Sequence, residues 1–125
     1  MRITQSAISL NVPHVERSAQ FLETYFGFHR VMEAEGFVSL TRDDAGFHLI
    51  FLQVGLPTFK PDTHAAAAGP GLLIVFEVDD IDAEWTRLQD QELFFPTSIE
   101  TESWGERYFQ VLDPNGIIVQ LVQWV

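Results

Sequence analysis

The fold is decided by residues 108–125, Tyr-Phe-Gln-Val-Leu-Asp-Pro-Asn-Gly-Ile-Ile-Val-Gln-Leu-Val-Gln-Trp-Val. This stretch is typical of two β-strands joined by a tight turn, because Pro114 presets φ and Asn115-Gly116 tolerates positive φ. The flanking residues are largely β-branched and aromatic, as a half-buried hairpin requires. A weaker copy at Asp44-Ala45-Gly46, followed by residues 47–52, indicates that the chain contains a repeat.

Length and composition favour one globular domain. The chain has 125 residues, of which 46% are hydrophobic, and this is enough for a single domain with a core. The absence of cysteine excludes disulfides, zinc–thiolate sites and a cysteine nucleophile. The first six residues do not form a signal peptide, and no apolar run approaches membrane-spanning length. We therefore expect a single domain over residues 1–125, located in the cytoplasm, with no membrane partner.

The charge is strongly acidic. Eighteen Asp and Glu residues against seven Lys and Arg residues give a net charge of −11. The field of such a protein repels polyanions, so binding to nucleic acid is disfavoured, whereas a cationic ligand is attracted. The alternative interpretation is that the acidic surface serves solubility alone.

The first half of the chain reads as one strand, one helix and three strands. Alternating apolar residues predict a strand over residues 3–12, which Pro13 ends. Helical spacing from Val15 to Phe26 predicts a helix that ends at Gly27. Three strands are predicted over residues 28–34, 37–42 and 47–54. Residues 55–71, rich in proline, glycine and alanine, are interpreted as a crossover loop and a possible lid, with a short helical turn over the alanines as the alternative.

The second half repeats this order. A strand is predicted over residues 72–78, followed by a helix that Asp79 or Asp80 caps and that carries Ile81, Trp85 and Leu88 on one face. Further strands are predicted near residues 93–98, 106–112 and 117–124. The Asp and Glu residues at 79–84 resemble a calcium-binding loop only superficially, and helix capping explains them better.

The two halves overlay at fixed offsets. Leu10-Asn11-Val12 matches Phe76-Glu77-Val78 at an offset of 66, and Gly46 matches Gly116 at an offset of 70. Strand alternation then predicts which side chains face the helices and which lie on the opposite, concave face. The helix-facing set is Ile8, Leu10, Val12, Phe47, Leu49, Phe51, Ile74, Phe76 and Val78. The concave set is Ala7, Ser9, His48, Ile50, Leu52, Leu73, Val75, Ile118 and Gln120.

Four stretches resemble the vicinal oxygen chelate superfamily, which includes glyoxalases, bleomycin-resistance proteins and extradiol dioxygenases. They are the first strand and helix with Phe26-Gly27-Phe28, the segment Phe76-Glu77-Val78-Asp79-Asp80-Ile81-Asp82, Trp104-Gly105-Glu106-Arg107, and the turn Asp113-Pro114-Asn115-Gly116. The resemblance implies an α+β fold. Two β-α-β-β-β modules would form a concave, open-barrel mixed sheet with the helices outside, usually in a homodimer. The modules would span about residues 1–55 and 72–125, joined by the loop at 55–71.

Metal-dependent members of the family carry ligands at four positions, and the resemblance places these at Ala7, Ile50, Leu73 and Gln120. Three of these side chains have no donor atom, and the glutamine offers only a neutral carbonyl oxygen. A divalent ion requires several imidazole or carboxylate donors. The resemblance is therefore to the metal-free, bleomycin-resistance-like branch, and we expect no metal and no cofactor.

An apolar face with scattered polar groups suits an organic ligand better than an ion. Trp104 is predicted to lie at a strand start, where an indole can stack on a flat or cationic ligand. We therefore expect a protein that sequesters an amphipathic, cationic aromatic compound, with no catalytic residues. The predicted ligand-binding residues are Ser9, His48, Ile50, Leu52, Leu73, Val75, Trp104, Tyr108, Gln110, Ile118 and Gln120.

Two other interpretations remain open for the sequence. The chain can be a divergent glyoxalase-like lyase, isomerase or dioxygenase, using a metal held by His48, Glu77 and Gln120 or an acid/base pair of His48 and Tyr108. It can also be an accessory domain that only dimerises or docks partners. Arg107 is interpreted as the partner of a nearby carboxylate rather than as a ligand contact.

Overall fold

The computed structural model describes residues 1–125, and the chain separates into two compact units, Met1–Gly69 and Pro70–Val125. Each unit contains one α-helix and one four-stranded mixed sheet. The predicted α+β class and the strand-helix-strand-strand-strand order of each half are thus confirmed. Neither helix combines the length and apolar character needed to cross a membrane.

The first unit is built from β1 (Ala7–Val12), α1 (Val15–Phe26), β2 (His29–Ala34), β3 (Phe37–Thr41) and β4 (His48–Gln53). The strand order in its sheet is β1-β4-β3-β2. β1 and β4 are parallel, whereas the other pairs are antiparallel. A shift in register between Arg30 and Met32 interrupts the pairing of β2 with β3.

The end of α1 follows the predicted glycine rule. Gly27 adopts the left-handed conformation with φ of 67°, and its N–H donates to the carbonyl oxygen of Leu22. Arg42 Nη1 donates to the carbonyl oxygen of Phe26 at 2.5 Å. A glycine and a cation thus provide hydrogen-bond partners for two carbonyls at this helix end.

The second unit repeats the architecture with β5 (Leu73–Glu77), α2 (Ile81–Gln89), β6 (Glu100–Thr101), β7 (Glu106–Leu112) and β8 (Ile118–Trp124). Its strand order is β5-β8-β7-β6. Asp80 is the N-cap of α2, and its side chain accepts a hydrogen bond from the Ala83 N–H. The turn between β7 and β8 is held by Asp113, whose Oδ1 accepts from the N–H groups of Asn115 and Ile117.

The register repeats with the offsets that the sequence predicts. Ala7 pairs with His48 in the first sheet, and Leu73 pairs with Ile118 in the second. Leu73 follows Ala7 by 66 residues on the first strand of each unit (73 − 7), and Ile118 follows His48 by 70 residues on the last (118 − 48). Because a slip of one residue would reverse every side chain, the agreement supports the predicted assignment of faces.

The buried face of each sheet packs on its own helix. In the first unit α1 packs mainly on β3 and β4, and in the second α2 packs on β7 and β8. In the core of the second unit, the ring centroid of Trp85 lies 5.1 Å from that of Phe109 and 5.2 Å from that of Phe95. The buried strand residues on the helix-facing sides are Leu10, Val12, Val38, Leu40, Leu49, Phe51, Ile74, Phe109, Val111, Val119 and Leu121, and those buried on the opposite faces are Ser39, Gln120 and Val122.

Two strand predictions need correction. The strand expected near residues 93–98 is reduced to a single bridge between Phe94 and Leu112, and regular pairing starts only at Glu100. Pro96 lies in the middle of that stretch and cannot donate to a ladder. The first strand begins at Ala7 rather than at residue 3.

The loop between the units is tied to β1. Asn11 Nδ2 donates to the carbonyl oxygens of His64 and Ala66 at 2.6 and 2.9 Å, and the Ala68 N–H donates to the Asn11 carbonyl oxygen. Its only helical turn covers Asp62–His64, just before the alanines where the sequence suggested one. These three bonds argue against a freely moving lid.

Candidate functional site

Each sheet has one face turned away from its helix, here called the open face. In the first unit, the pairing of β1, β4, β3 and β2 places Ser9, Ile50, Ser39 and Met32 in one row across this face. His48 and Leu52 flank Ile50 on β4, two residues to either side. The predicted residues Ser9, His48, Ile50 and Leu52 thus share one face and lie close together.

His48 is the imidazole on this face. It is half-buried, and its Nδ1 lies 2.9 Å from Gln5 Nε2. No carboxylate is hydrogen-bonded to the ring, so it lacks the acidic partner that orients a catalytic histidine. The hydrogen-bond partner of the ring is a side-chain amide.

The open face of the second unit is more apolar. Leu73, Ile118 and Leu112 form one row across β5, β8 and β7. Val75, Gln120 and Gln110 form the next row. Leu73 and Val75 are 45% and 46% exposed, which leaves hydrocarbon uncovered on this face. Five predicted residues therefore lie together: Leu73, Val75, Gln110, Ile118 and Gln120.

Two side-chain amides meet in the middle of this face. Gln110 Nε2 donates to Gln120 Oε1 at 2.9 Å, and Gln120 is only 8% exposed. The bond occupies the oxygen of Gln120 and leaves the Gln120 N–H groups and the Gln110 oxygen without a partner in the chain. The row therefore presents one donor group and one acceptor atom between apolar neighbours.

Trp104 lies in the turn between β6 and β7, and its side chain is 65% exposed. The turn is held by backbone bonds, because the Gly105 N–H donates to the Glu102 carbonyl and the Val125 N–H donates to the Gly105 carbonyl. Arg107 bonds both Thr101 on β6 and Asp82 on α2, which confirms its interpretation as a carboxylate partner. The backbone of this turn is therefore fixed, while the indole itself is exposed.

Tyr108 is oriented by the same hairpin. Its hydroxyl donates to Glu102 Oε1 at 2.8 Å and is 3.4 Å from Glu100 Oε2. The hydrogen bond to Glu102, helped by desolvation and by the charge of both carboxylates, raises the pKa of Tyr108 to about 12. Tyr108 therefore keeps its proton near neutral pH, with its hydroxyl held by the Glu102 carboxylate.

The four family ligand positions do not fit a metal ion. Ala7, Ile50 and Leu73 present hydrocarbon, and the Gln120 oxygen already accepts from Gln110. No three His, Asp or Glu side chains gather anywhere in the described chain in a group that could hold a metal. A divalent ion at this position would lose its water ligands without replacement.

Several residues of the open faces escaped sequence reasoning. Ser39 and Met32 share the row of Ile50, and Leu112 shares that of Ile118. Glu102, the partner of Tyr108, was also missed. Alternation along β3 and β7 would have found Ser39 and Leu112, and a tight turn at Trp104-Gly105 would have placed Glu102 near the following strand. The bulge in β2 hides Met32 from any simple alternation.

Two surface depressions of the first unit lie elsewhere. One, of about 490 Å³, is lined by residues of the α1 N-terminus and of the turn between β2 and β3. The other, of about 420 Å³, is lined by Gly27, His29, Arg42, Asp43 and Asp44. Neither contains a predicted ligand-binding residue, and the second is rimmed by the ion pair of Arg42 with Asp44.

Comparison with known proteins identifies the fold independently. The sequence profile of the Glyoxalase/Bleomycin resistance protein/Dioxygenase superfamily matches residues 4–121. No curated protein matches the chain.

Solved structures agree with that match. A glyoxalase/bleomycin resistance protein/dioxygenase from Nocardioides is 21% identical, with a TM-score of 0.81 over 100% of this chain and 85% of that one. TnmS3, an antibiotic binding protein from Streptomyces sp. CB03234, is 22% identical, with a TM-score of 0.74 over 100% and 99% of the two chains. TioX from Micromonospora sp. ML1 is 18% identical, with a TM-score of 0.71 over 98% and 100%. At such identities the likeness establishes the fold alone.

Proposed function

Because this chain belongs to the Glyoxalase/Bleomycin resistance protein/Dioxygenase superfamily, we propose that it is a metal-independent small-molecule-binding protein. It sequesters an amphipathic, cationic aromatic compound by burial and stacking, and it makes or breaks no bond. The observation that carries this proposal is the open face of the second unit, where half-exposed Leu73 and Val75 lie beside the Gln110–Gln120 amide pair. The burial of such a face by an organic molecule is favourable, because it removes apolar surface from water.

Metal independence rests on the residues themselves. Of the four family ligand positions only Gln120 carries a donor atom, and Gln110 occupies it. One neutral carbonyl oxygen is too small and too weak a ligand set to hold a divalent ion.

The preference for a positively charged aromatic ligand rests on the β6–β7 hairpin. This hairpin carries the exposed indole of Trp104 together with Glu100, Glu102 and Glu106. An indole attracts a cation through its ring face, and the carboxylates add to that attraction. The net charge of −11 acts in the same direction over longer distances.

The role of one structural neighbour points the same way. TnmS3 is described as an antibiotic binding protein, and we extend antibiotic binding to this chain as part of the proposal. We further propose that residues 1–125 act as one domain, in a cytoplasmic homodimer, as the family resemblance implies. Sedimentation velocity over a range of concentrations tests the dimer, and a monomer at all of them would contradict it.

The first test is ligand binding by a Trp104 variant. We expect the planar cation proflavine to bind the parent protein, and Trp104→Ala to lose about 1–3 kcal/mol of that binding, or about 5- to 150-fold in Kd. Trp104→Phe keeps a ring and should lose less. Ile8→Ala is the matched control. Ile8 is also an exposed apolar residue (44%), but it lies on the helix-facing side of the first sheet and not on an open face. Equal affinity in Trp104→Ala and the parent would contradict the role of this hairpin.

The second test concerns metals. Calorimetric titration of chelator-treated protein with Mn²⁺, Ni²⁺ and Zn²⁺ should show no tight binding. One ion per chain with submicromolar affinity would overturn metal independence, and a variant Gln120→Ile would then show whether the family position is responsible.

A further inference from the structure

The amide pair of the second unit is not required by the fold. The repeat places Ile50 of the first unit at the position of Gln120, since 50 and 120 differ by the offset of 70 that relates β4 to β8. Ser39 stands opposite Ile50, as Gln110 stands opposite Gln120. The same architecture thus exists in this chain with an isoleucine and a serine at these two positions.

The pair leaves a specific set of polar atoms unused. Gln120 is 92% buried (100% − 8%), and its amide N–H groups have no acceptor in the chain. Its nitrogen is not fully enclosed by the protein. The oxygen of Gln110 is likewise free, because Gln110 uses its nitrogen to bond Gln120.

Leaving a buried donor unpaired costs about 1–3 kcal/mol, so a partner that satisfies it is strongly selected over one that does not. The row is bordered by hydrocarbon: Val75 lies beside Gln120, and Leu73 and Ile118 form the neighbouring row. A ligand that covers this hydrocarbon and lacks hydrogen-bonding groups would bury the amide without compensation.

We propose that the Gln110–Gln120 pair recognises an amide group of the ligand, in a lactam, imide or carboxamide whose N–H and C=O point to the same side. The ligand carbonyl accepts from Gln120 Nε2, and the ligand N–H donates to Gln110 Oε1. This inference rests on the proposed function and names the ligand class that the same open face selects. The bond between the two glutamines uses one N–H of Gln110 and one lone pair of the Gln120 oxygen, so the groups left without any partner are the Gln120 nitrogen and the Gln110 oxygen.

The test uses two bicyclic probes of nearly equal size, 2-quinolone and 2-methoxyquinoline. The first is a lactam, and the second has the same rings but no N–H. Titrations are followed by ¹⁵N-edited NMR of the full chain, with the side-chain amide signals of Gln110 and Gln120 identified from single variants. We expect 2-quinolone to shift both pairs of amide signals and to bind about tenfold tighter than 2-methoxyquinoline.

Two variants separate recognition from folding. Gln120→Ile introduces the residue found at the equivalent position of the first unit, so the fold should tolerate it, which dispersed NMR spectra check. In this variant the two probes should bind equally. Gln120→Glu keeps an acceptor for Gln110 but replaces the free donor by a carboxylate oxygen, so it should weaken 2-quinolone binding further.

The outcomes distinguish the two proposals. If both probes bind the parent equally, or if Gln120→Ile leaves the preference for 2-quinolone unchanged, amide recognition is overturned and the small-molecule function stands. If neither probe shifts any signal of the open face, while proflavine also fails to bind, both proposals are overturned. If proflavine alone binds, the aromatic site is retained and amide recognition is overturned.

Discussion

At the scale of single residues, Gly105 has a steric reason to be glycine. Its φ is 92°, which strains any residue with a side chain, and a Cβ added there would lie 2.8 Å from the backbone oxygen of Val125. Gly105→Ala should therefore lower the free energy of unfolding by about 1–3 kcal/mol. Urea unfolding followed by tryptophan fluorescence measures this loss.

Gly46→Ala is the matched control. A Cβ at Gly46 meets nothing within 4 Å, and Gly46 is not among the glycines with positive φ. Its substitution should change stability by less than about 0.5 kcal/mol. Equal losses in the two variants would show that the contact with Val125 is not the cause.

The hydroxyl of Tyr108 gives a second prediction at this scale. Tyr25 and Tyr108 are the two tyrosines of the chain, so absorbance at the phenolate band of Tyr25→Phe reports Tyr108 alone. Tyr108 should ionise with a pKa of about 12, because its hydrogen bond to Glu102 and the nearby charges favour the protonated phenol. Glu102→Gln removes a charge and should move the pKa back toward its ordinary value of 10.0.

The stability linkage of Tyr108 has a definite sign. A folded-state pKa above the unfolded value means that the contribution is present in full below pH 10.0 and is lost as the pH rises towards about 12. In Tyr108→Phe, the free energy of unfolding should therefore decrease less than in the parent as the pH rises through this alkaline range. An identical pH dependence in parent and variant would contradict the hydrogen bond to Glu102.

At the scale of elements, Arg30 joins α1 to β2. Its guanidinium contacts Glu16 and Glu23 on the helix at 2.7 and 2.9 Å, and Glu33 on the strand at 3.0 Å. Arg30→Gln should destabilise the protein by about 1 kcal/mol, which is a small effect because the carboxylates are partly exposed. Arg87→Gln is the control, since the ion pair of Arg87 with Glu84 lies within one helix and should be worth less than about 0.5 kcal/mol.

The effect of Arg30 should depend on pH in one direction. The hydrogen bond from Arg30 holds the pKa of Glu16 below its ordinary value of 4.5. The stabilisation is therefore present in full above pH 4.5 and is lost as the pH falls through the lower, folded-state pKa. The difference between parent and Arg30→Gln, measured by urea unfolding, should shrink below this pH, and a difference that grows instead would contradict the ion pairs.

Elements with strict alternation were predictable from the sequence. The faces of β1, β4 and β5 and the offsets between the halves follow from period-two patterns, and the observed register agrees with them. The prediction of a strand near residues 93–98 was wrong. It relied on the apolar content of the stretch and did not take account of Pro96, which interrupts the hydrogen bonding of a strand. The anchoring of the 55–71 loop by Asn11 was also missed, because a bond across more than fifty residues leaves no local signal.

The candidate site was predictable only as a face. Alternation placed Gln110 and Gln120 together with Leu73 and Val75, and strand pairing bears this grouping out. The bond between the two amides, with its free donor and free acceptor, depends on side-chain rotamers that no sequence pattern encodes. The same holds for Tyr108 and Glu102, whose contact depends on the exact turn before β7.

At the scale of the whole molecule, the repeat shows how one architecture supports two different surfaces. The row Ser9, Ile50, Ser39 in the first unit corresponds to Val75, Gln120, Gln110 in the second. Backbone pairing is the same in both, so the fold constrains the helix-facing side chains and leaves the open faces free to differ. Substitutions on the open faces can therefore change the chemistry of these faces at little cost to the two cores.

The net charge of −11 gives a prediction that involves the whole chain. If the ligand is a cation, its affinity should fall as salt screens the acidic field, with a Debye length of about 20 Å at 0.02 M falling to about 4 Å at 0.5 M. Proflavine should bind several-fold more weakly at the higher salt concentration, whereas acridine, neutral at the same pH, should be unaffected or bind slightly more tightly because salt strengthens apolar burial. Calorimetric titration of both compounds at the two salt concentrations measures the difference. Equal salt dependence of the two would show that the acidic surface serves solubility and takes no part in ligand selection.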